Sequence, residues 1–443
     1  MRKVLVITYE FPPAGGGGVQ RWAKMCRYLP ESGWTPFVLT AEPVARRSRD
    51  ESLLAEVVGV EVRRIPHRHV AAAVAAAIEP AKRLARKVRG RSGTPAAPVG
   101  SAPAPRGVTR TPLSSRIARF IAVPDDAAFW RSSAVRAAEQ LGREAGVDAV
   151  VATGPPFSSL VVGARVARRL GVPLILDMRD GWDTNPVVRM PTAFHRWLSN
   201  RIERKTLPVA DLVTCTAPAI GEEARRFGAR ATRVIANGFD ASDLPAHAPD
   251  SSGPLTLVFM GKVYAGHSDP APLLTALARA RELSDSEIRF EIVGSWPDGL
   301  EASIEAAGLS DEVVLTSYLP HREALERTAR ADVGVLLIAD MPGAAGSCPA
   351  KLYEYLGMGM PVLIVGPDDG MPAAVLAETC GGSVIHPDDV EALARELVRL
   401  AELKAKGNVL SEPDGEAVAR YSRQGQAAAM AAALSEVAGG ESR

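Results

Sequence analysis

The sequence predicts an α/β protein made of two Rossmann-like, doubly wound units in tandem that face each other across an interdomain cleft. Three observations predict it. The chain has 443 residues, 47% of them hydrophobic, more than a single compact core accommodates, so two domains are expected. Short β-branched runs alternate with Ala-, Leu- and Arg-rich helical stretches, the pattern of a parallel sheet covered by helices on both faces. The alternation breaks near the middle, at Pro245-Ala-His-Ala-Pro-Asp-Ser-Ser-Gly-Pro254, where Pro, Ser and Gly cluster and no hydrophobic period survives.

In chain order, strands of the first unit are expected at residues 4–8, 35–40, 60–65, 149–152, 173–177 and 212–215. Those of the second are expected at 255–260, 289–293, 313–315, 333–337, 362–365 and 382–385. The units are read as residues 1–245 and 246–415, with 416–443 as a C-terminal helix packing back on the first unit. One stretch fits neither unit. Residues 91–111 are rich in Gly, Pro, Ser and Ala without periodicity. They follow an apolar segment that runs into Lys82, Arg83, Arg86, Lys87 and Arg89, so an insert is read over about 70–111. Between Ala45 and Arg119 basic residues outnumber acidic ones roughly three to one, enough to attract an anionic lipid surface or a phosphorylated acceptor. The alternative is a solvated helix face.

Charge excludes little except nucleic acid as the main partner, because the net value is only +1. Cys26, Cys215, Cys348 and Cys380 lie far apart, without a C-x-x-C pair or a His at ligand spacing, which argues against a zinc site or a disulfide framework. The apolar run after Met1-Arg-Lys is too short for a signal-peptide core, and no stretch reaches the length of a spanning helix. A cytoplasmic chain is expected, at the inner face of the membrane if the insert docks there.

The chemistry-bearing segments sit at expected strand ends, where open α/β sheets bind their ligands. Phe11-Pro-Pro-Ala-Gly-Gly-Gly-Gly18 precedes a helical run. Its Gly16, Gly17 and Gly18 let backbone approach an anion at a helix N-terminus; the alternatives are a flexible turn or a poorly fitting dinucleotide fingerprint. Gly154-Pro-Pro-Phe-Ser-Ser159 and Leu174-Ile-Leu-Asp-Met-Arg-Asp-Gly-Trp182 follow. Arg21, Ser158, Ser159 and Asp180 are the expected acceptor contacts, with Arg179 and Asp180 also read as catalytic. Asn237-Gly-Phe-Asp240 reads as a turn in which Asn-Gly supplies unusual dihedrals. In the second unit, Lys262 ends the first strand, placed to neutralise a leaving diphosphate, and His267 follows in the same loop. Leu319, within Ser317-Tyr-Leu-Pro-His321, borders a nucleobase if that loop is more than a connection. The strongest segment is Gly343-Ala-Ala-Gly-Ser-Cys-Pro-Ala-Lys351, which enters the helix carrying Glu354. Here Gly346, Ser347, Cys348, Lys351 and Leu352 surround a helix N-terminus suited to an anion, and Glu354 one turn deeper can accept two ribose hydroxyls.

These motifs, in this order and over nearly the whole length, resemble those of the retaining, two-domain GT-B glycosyltransferases of family four, glycosyl transferases group 1. The resemblance implies transfer of a sugar from a nucleotide diphosphate sugar, UDP being the commonest, to a small-molecule or lipid-linked acceptor, as in the making of cell-surface polysaccharides, glycolipids or glycosylated metabolites. It implies that Glu354 binds the donor ribose, that Lys262 contacts the diphosphate, and that the glycine loop closes over the donor. It also implies front-face displacement without a protein nucleophile, a metal or a cofactor. Two departures mark a divergent branch: Gly346 stands where many members carry a second glutamate, and His267 lies near the place of a second cation, for which Lys351 compensates. The rivals are a nucleotide-sugar epimerase or dehydrogenase, and an inactive sugar-nucleotide-binding scaffold.

Overall fold

The computed structural model describes residues 1–15, 17–43, 49–66, 120, 122–185, 190–264, 266–341 and 348–439. The insert read over about 70–111 lies outside them. Among the described residues there are two fully parallel sheets. The first has the order β3-β2-β1-β4-β5-β6-β7, formed by β1 (Arg2–Ile7), β2 (Trp34–Ala41), β3 (Glu61–Ile65), β4 (Ala149–Gly154), β5 (Leu174–Met178), β6 (Leu212–Cys215) and β7 (Thr232–Val234). The second runs β10-β9-β8-β11-β12-β13, formed by β8 (Leu255–Lys262), β9 (Ile288–Ser295), β10 (Val313–Ser317), β11 (Val333–Leu337), β12 (Val362–Val365) and β13 (Gly382–Ile385). Both are doubly wound, as the alternating pattern predicts. Strand β7 escapes the sequence reading because its three residues, Thr-Arg-Val, are half exposed and too few to show a period.

Alternation along β1 shows why both faces need helices. Leu5 and Ile7 enter one core with Trp130 and Val162, while Val4 and Val6 enter another with Trp22, Trp34, Met430 and Leu434. The last two belong to the C-terminal helix. The helices that carry the argument are α1 (Gly17–Tyr28), α2 (Ser158–Leu170), α3 (Ala193–Thr206), α4 (Pro218–Arg226), α5 (His321–Thr328), α6 (Ala350–Gly357) and α7 (Arg423–Gly439). Helix α7 is rich in alanine, and its small Ala427, Ala431 and Ala433 let it lie close against α1 on the first unit.

The segment Asn237 to Asp240 is not the turn that its Asn-Gly pair suggests. Gly238 is absent from the left-handed region that other glycines of the chain adopt. Phe239 instead pairs in parallel with Ser422, its N–H donating to Tyr421 O at 3.1 Å and its carbonyl accepting from Arg423 N at 2.7 Å. A Cβ on Gly238 would lie 1.9 Å from that Tyr421 carbonyl, so glycine is required for close approach rather than for its dihedrals. This short pairing threads the chain terminus back between the two units.

Candidate active site

Because every strand in each sheet runs the same way, the loops at the strand carboxyl ends gather on one edge of each unit, and the two edges face each other. A cavity of about 470 Å³ opens there, lined by Glu10, Gly18, Pro155, Arg179, Asp180 and Asn237 of the first unit and by Ala350 of the second.

The first unit's edge is organised by Asp177, a residue that sequence reasoning passed over. It is the penultimate residue of β5 and is fully buried. Its carboxylate accepts from Arg21 Nη2 at 3.1 Å, Trp22 Nε1 at 2.8 Å, Thr153 Oγ1 at 3.0 Å and Thr214 Oγ1 at 2.9 Å. Burial opposes its charge, yet Arg21 and the other donors win and hold the carboxyl below its ordinary range. Arg21 spends its remaining donors on Ile235 O at 2.9 Å and Ala236 O at 2.8 Å. Its expected role as an acceptor contact is therefore corrected: it is a fully buried strut that fixes α1 to β5 and to the chain leaving β7. Ser158 and Ser159 are corrected likewise. They start α2 fully buried, with Ser158 N–H capped by Asp125 Oδ2 at 2.9 Å, and neither hydroxyl faces the cavity.

Arg179 and Asp180 do reach the cavity, but as unlike partners. Arg179 is a tie. Its guanidinium donates to the carbonyls of Gly18, Gly154 and Pro155, pinning the glycine loop to the β4 loop. A Cβ on Gly18 would lie 2.3 Å from Arg179 Nη1, so close approach of the guanidinium calls for glycine at this position. Asp180 stands open to the cleft, with its carboxyl raised by crowding against the protein, an effect opposed by Arg179.

On the second unit's edge, Lys351 lies at the start of α6 with Nζ 4.0 Å from the Phe259 ring centroid. Burial pushes its ammonium down to about 8, against the pull of Glu354. Among the described residues no carboxylate pairs with it. It rests against Gly261, where a Cβ would meet Lys351 Nζ at 2.9 Å and where φ is +121°. Lys262, the next residue, is exposed, with Nζ 4.8 Å from the Tyr264 ring. Two cations thus flank the end of β8. His267 accepts Ala339 N–H through its carbonyl at 3.0 Å, joining the β8 and β11 loops. Leu319 is half-buried against the core beneath α6. Cys348 is buried with Sγ 3.1 Å from Tyr353 Oη, and its carbonyl accepts from Asn237 Nδ2 at 3.5 Å across the cleft. Leu352 is fully buried in the core, so its side chain contributes packing rather than contact with a donor. Gly16, Gly346 and Ser347 lie outside the described residues.

Glu354 is the second buried carboxylate of the cleft. It sits one turn along α6 from Lys351, and Oε1 lies 3.4 Å from His321 Nε2 at the start of α5. Burial raises its carboxyl, opposed by His321, Arg423 and Lys351. Among the described residues no donor makes a well-formed hydrogen bond to it. Arg423, almost fully buried at the start of α7, is pushed down to about 10 by burial and by Arg21, with Glu354 and Asp240 pulling it back up. Nothing in the Ala-rich sequence of α7 marks Arg423 as a neighbour of Glu354; His321 stood in a noticed loop but without a partner. Lys24 completes the junction, buried and paired with Glu56 at 2.9 Å, Asp240 at 2.8 Å and Asp243 at 2.8 Å.

Two Rossmann-like units joined edge to edge, with cations and a buried acid at the facing strand ends, have the GT-B architecture. Residues 16–238 match the family model described as glycosyl transferase 4-like domain and residues 254–402 match glycosyl transferases group 1; the chain belongs to the glycosyl transferase 4-like family. No curated protein matches it by sequence. Among solved structures, it is similar to Anabaena HepE in complex with UDP and glucose, at 17% identity and TM-score 0.62, over 98% of this chain and 100% of that one. Sucrose-phosphate synthase from Thermosynechococcus elongatus is similar at 16% identity and TM-score 0.62, over 98% and 99%. A putative UDP-N-acetylglucosamine 2-epimerase from Listeria monocytogenes shares the fold at 13% identity and TM-score 0.51, over 98% and 96%.

Proposed function

We propose that this glycosyltransferase moves a sugar from a UDP-sugar to an acceptor hydroxyl with retention of anomeric configuration. The observation that carries the reading is Glu354: a buried carboxylate with unfilled acceptor capacity, one helical turn from the ammonium of Lys351 on the same helix. Ribose hydroxyls complete its hydrogen bonds, and the diphosphate takes the charge of Lys351, Lys262 and the α6 N-terminus. In the transfer, the bond between anomeric carbon and phosphate oxygen breaks as the acceptor oxygen bonds to the same face of that carbon. The acceptor proton passes to the departing phosphate oxygen and UDP leaves. The protein supplies charge stabilisation and alignment rather than a nucleophile. Asp180, open to the cavity, orients the acceptor hydroxyl. A glycolipid or growing surface polysaccharide is the acceptor class that the reading favours.

Release of UDP that depends on added acceptor, with a product of the same anomeric configuration as the donor, is the expected outcome. Interconversion of UDP-sugars without acceptor would instead make the chain an epimerase, an activity named for one protein of this fold. Tight UDP binding with neither reaction would make it a scaffold. Turnover is expected to survive EDTA, because Lys262 and Lys351 stand where a metal would otherwise neutralise the leaving group; loss in EDTA restored by Mg²⁺ would refute this.

A further inference from the structure

We propose that the solvent face of α3, together with Phe120, docks the protein on an anionic lipid bilayer. Large apolar side chains are rarely left bare in clusters, yet Phe120, Phe194 and Trp197 are 56%, 63% and 56% exposed. They form one patch. Phe194 and Trp197 stack with ring centroids 5.7 Å apart, and His195, buried beneath them, holds Phe120 both by an edge contact at 5.1 Å and through the Phe120 carbonyl at 3.0 Å.

The same face carries charge of one sign. Phe194, Trp197, Arg201, Arg204 and Lys205 follow the spacing of one helical stripe and are all exposed. The helix's acid, Glu203, points the other way and is fully buried. Arg201 lies 5.8 Å from the Trp197 ring and Arg204 lies 4.7 Å from the Phe227 ring, next to exposed Arg226 of α4. Aromatic rings at one end and cations along the rest fit a headgroup layer: rings enter the interface while guanidinium and ammonium groups meet anionic headgroups. A protein partner would be expected to meet mixed charges, and the exposed face of α3 carries no acid. The docking surface is distinct in sequence from the basic insert.

Placement gives the surface a use that rests on the glycosyl-transfer reading. Helix α3 connects the parallel strands β5 and β6, so its N-terminal, aromatic end lies on the side of the first sheet where the strand carboxyl ends gather, the side on which a lipid-linked acceptor would present its hydroxyl. The docking itself does not depend on that reading.

The test is flotation of the full chain with vesicles of phosphatidylcholine, with and without phosphatidylglycerol, alongside calorimetry of UDP binding. Wild type is expected to float with the anionic vesicles only, and less at high salt. Phe194→Ser/Trp197→Ser and, separately, Arg201→Glu/Lys205→Glu should each lower the lipid partition by about tenfold or more while UDP affinity stays unchanged. Failure of wild type to float, or undiminished flotation of both variants, would overturn the proposal. So would concentration-dependent self-association of wild type that the aromatic variant abolishes, which assigns the face to a second copy. Loss of UDP binding by wild type would count against the donor site and leave the docking result standing.

Discussion

Two acids on the facing edges of the cleft, Asp177 in a central strand of the first unit and Glu354 on a helix of the second, are both buried and differ in what surrounds them. Asp177 is saturated: an arginine, an indole and two hydroxyls hydrogen-bond to it, and its carboxyl is held low. Glu354 has cations nearby but, among the described residues, no well-formed hydrogen bond, and its carboxyl is raised. A protein leaves buried acceptor capacity open where a ligand is meant to fill it, and closes it where the role is structural. On the proposed reading, the first unit is a finished scaffold at its edge of the cleft and the second holds the donor.

If that contrast is right, the two acids fail differently. Asp177→Ala strands the buried guanidinium of Arg21 and is expected to cost about 3–5 kcal/mol of stability, read as a large fall in Tm with soluble yield reduced. A smaller loss, near that of a surface substitution, would show that Arg21 is held by the Ile235 and Ala236 carbonyls alone.

Lys351→Ala should leave Tm nearly unchanged and lower kcat/KM by about 100-fold, the scale on which a removed transition-state donor acts. The ammonium also makes donor binding depend on pH. Its value of about 8 in the free protein is depressed below the ordinary lysine range, so charge is lost as pH rises through about 8, and a bound diphosphate draws the proton back. UDP affinity is expected to be flat below that point and to weaken above it, with the dependence gone in the variant. The sign for folding runs the other way: burying the charge costs stability that is relieved between about 8 and the unfolded value.

A third buried carboxyl meets the problem in another manner. Glu203 of α3 faces Glu223 of α4, whose carboxylate is occupied by the N–H groups of Trp182, Asp183 and Thr184. Burial, with Glu223 and Asp183 adding to it, pushes Glu203 up to about 9, so it keeps its proton. The folded state then holds a proton that the unfolded chain gives up, and stability declines as pH rises from the ordinary carboxyl value of 4.5 toward about 9. Glu203→Gln should gain roughly 1–2 kcal/mol at neutral pH, with the gain vanishing near pH 4.5. A gain that does not change with pH would mean that packing, not the proton, is responsible.

What the sequence disclosed follows from range. Lys351 and Glu354 were legible because a loop, a helix start and a three-residue spacing are local. The parallel sheets were legible because β-branched runs repeat. The Asp177 node was not, since its arginine lies 156 residues away and a strand-end aspartate gives no sign of how many donors converge on it. Arg179 looked like a catalytic arginine for the same reason: only the fold reveals that three carbonyls occupy it. Ser158 and Ser159 followed a strand as ligand-facing serines do, but the helix they begin turns them inward.

The central claim, that Glu354 is kept open for ribose, is tested most directly by comparing UDP with its 2′,3′-dideoxy analogue by calorimetry in wild type and in Glu354→Ala. Wild type should prefer UDP by about 100-fold, two charged hydrogen bonds' worth, and the variant should bind both equally with its Tm preserved. Undiminished discrimination by the variant would contradict the account.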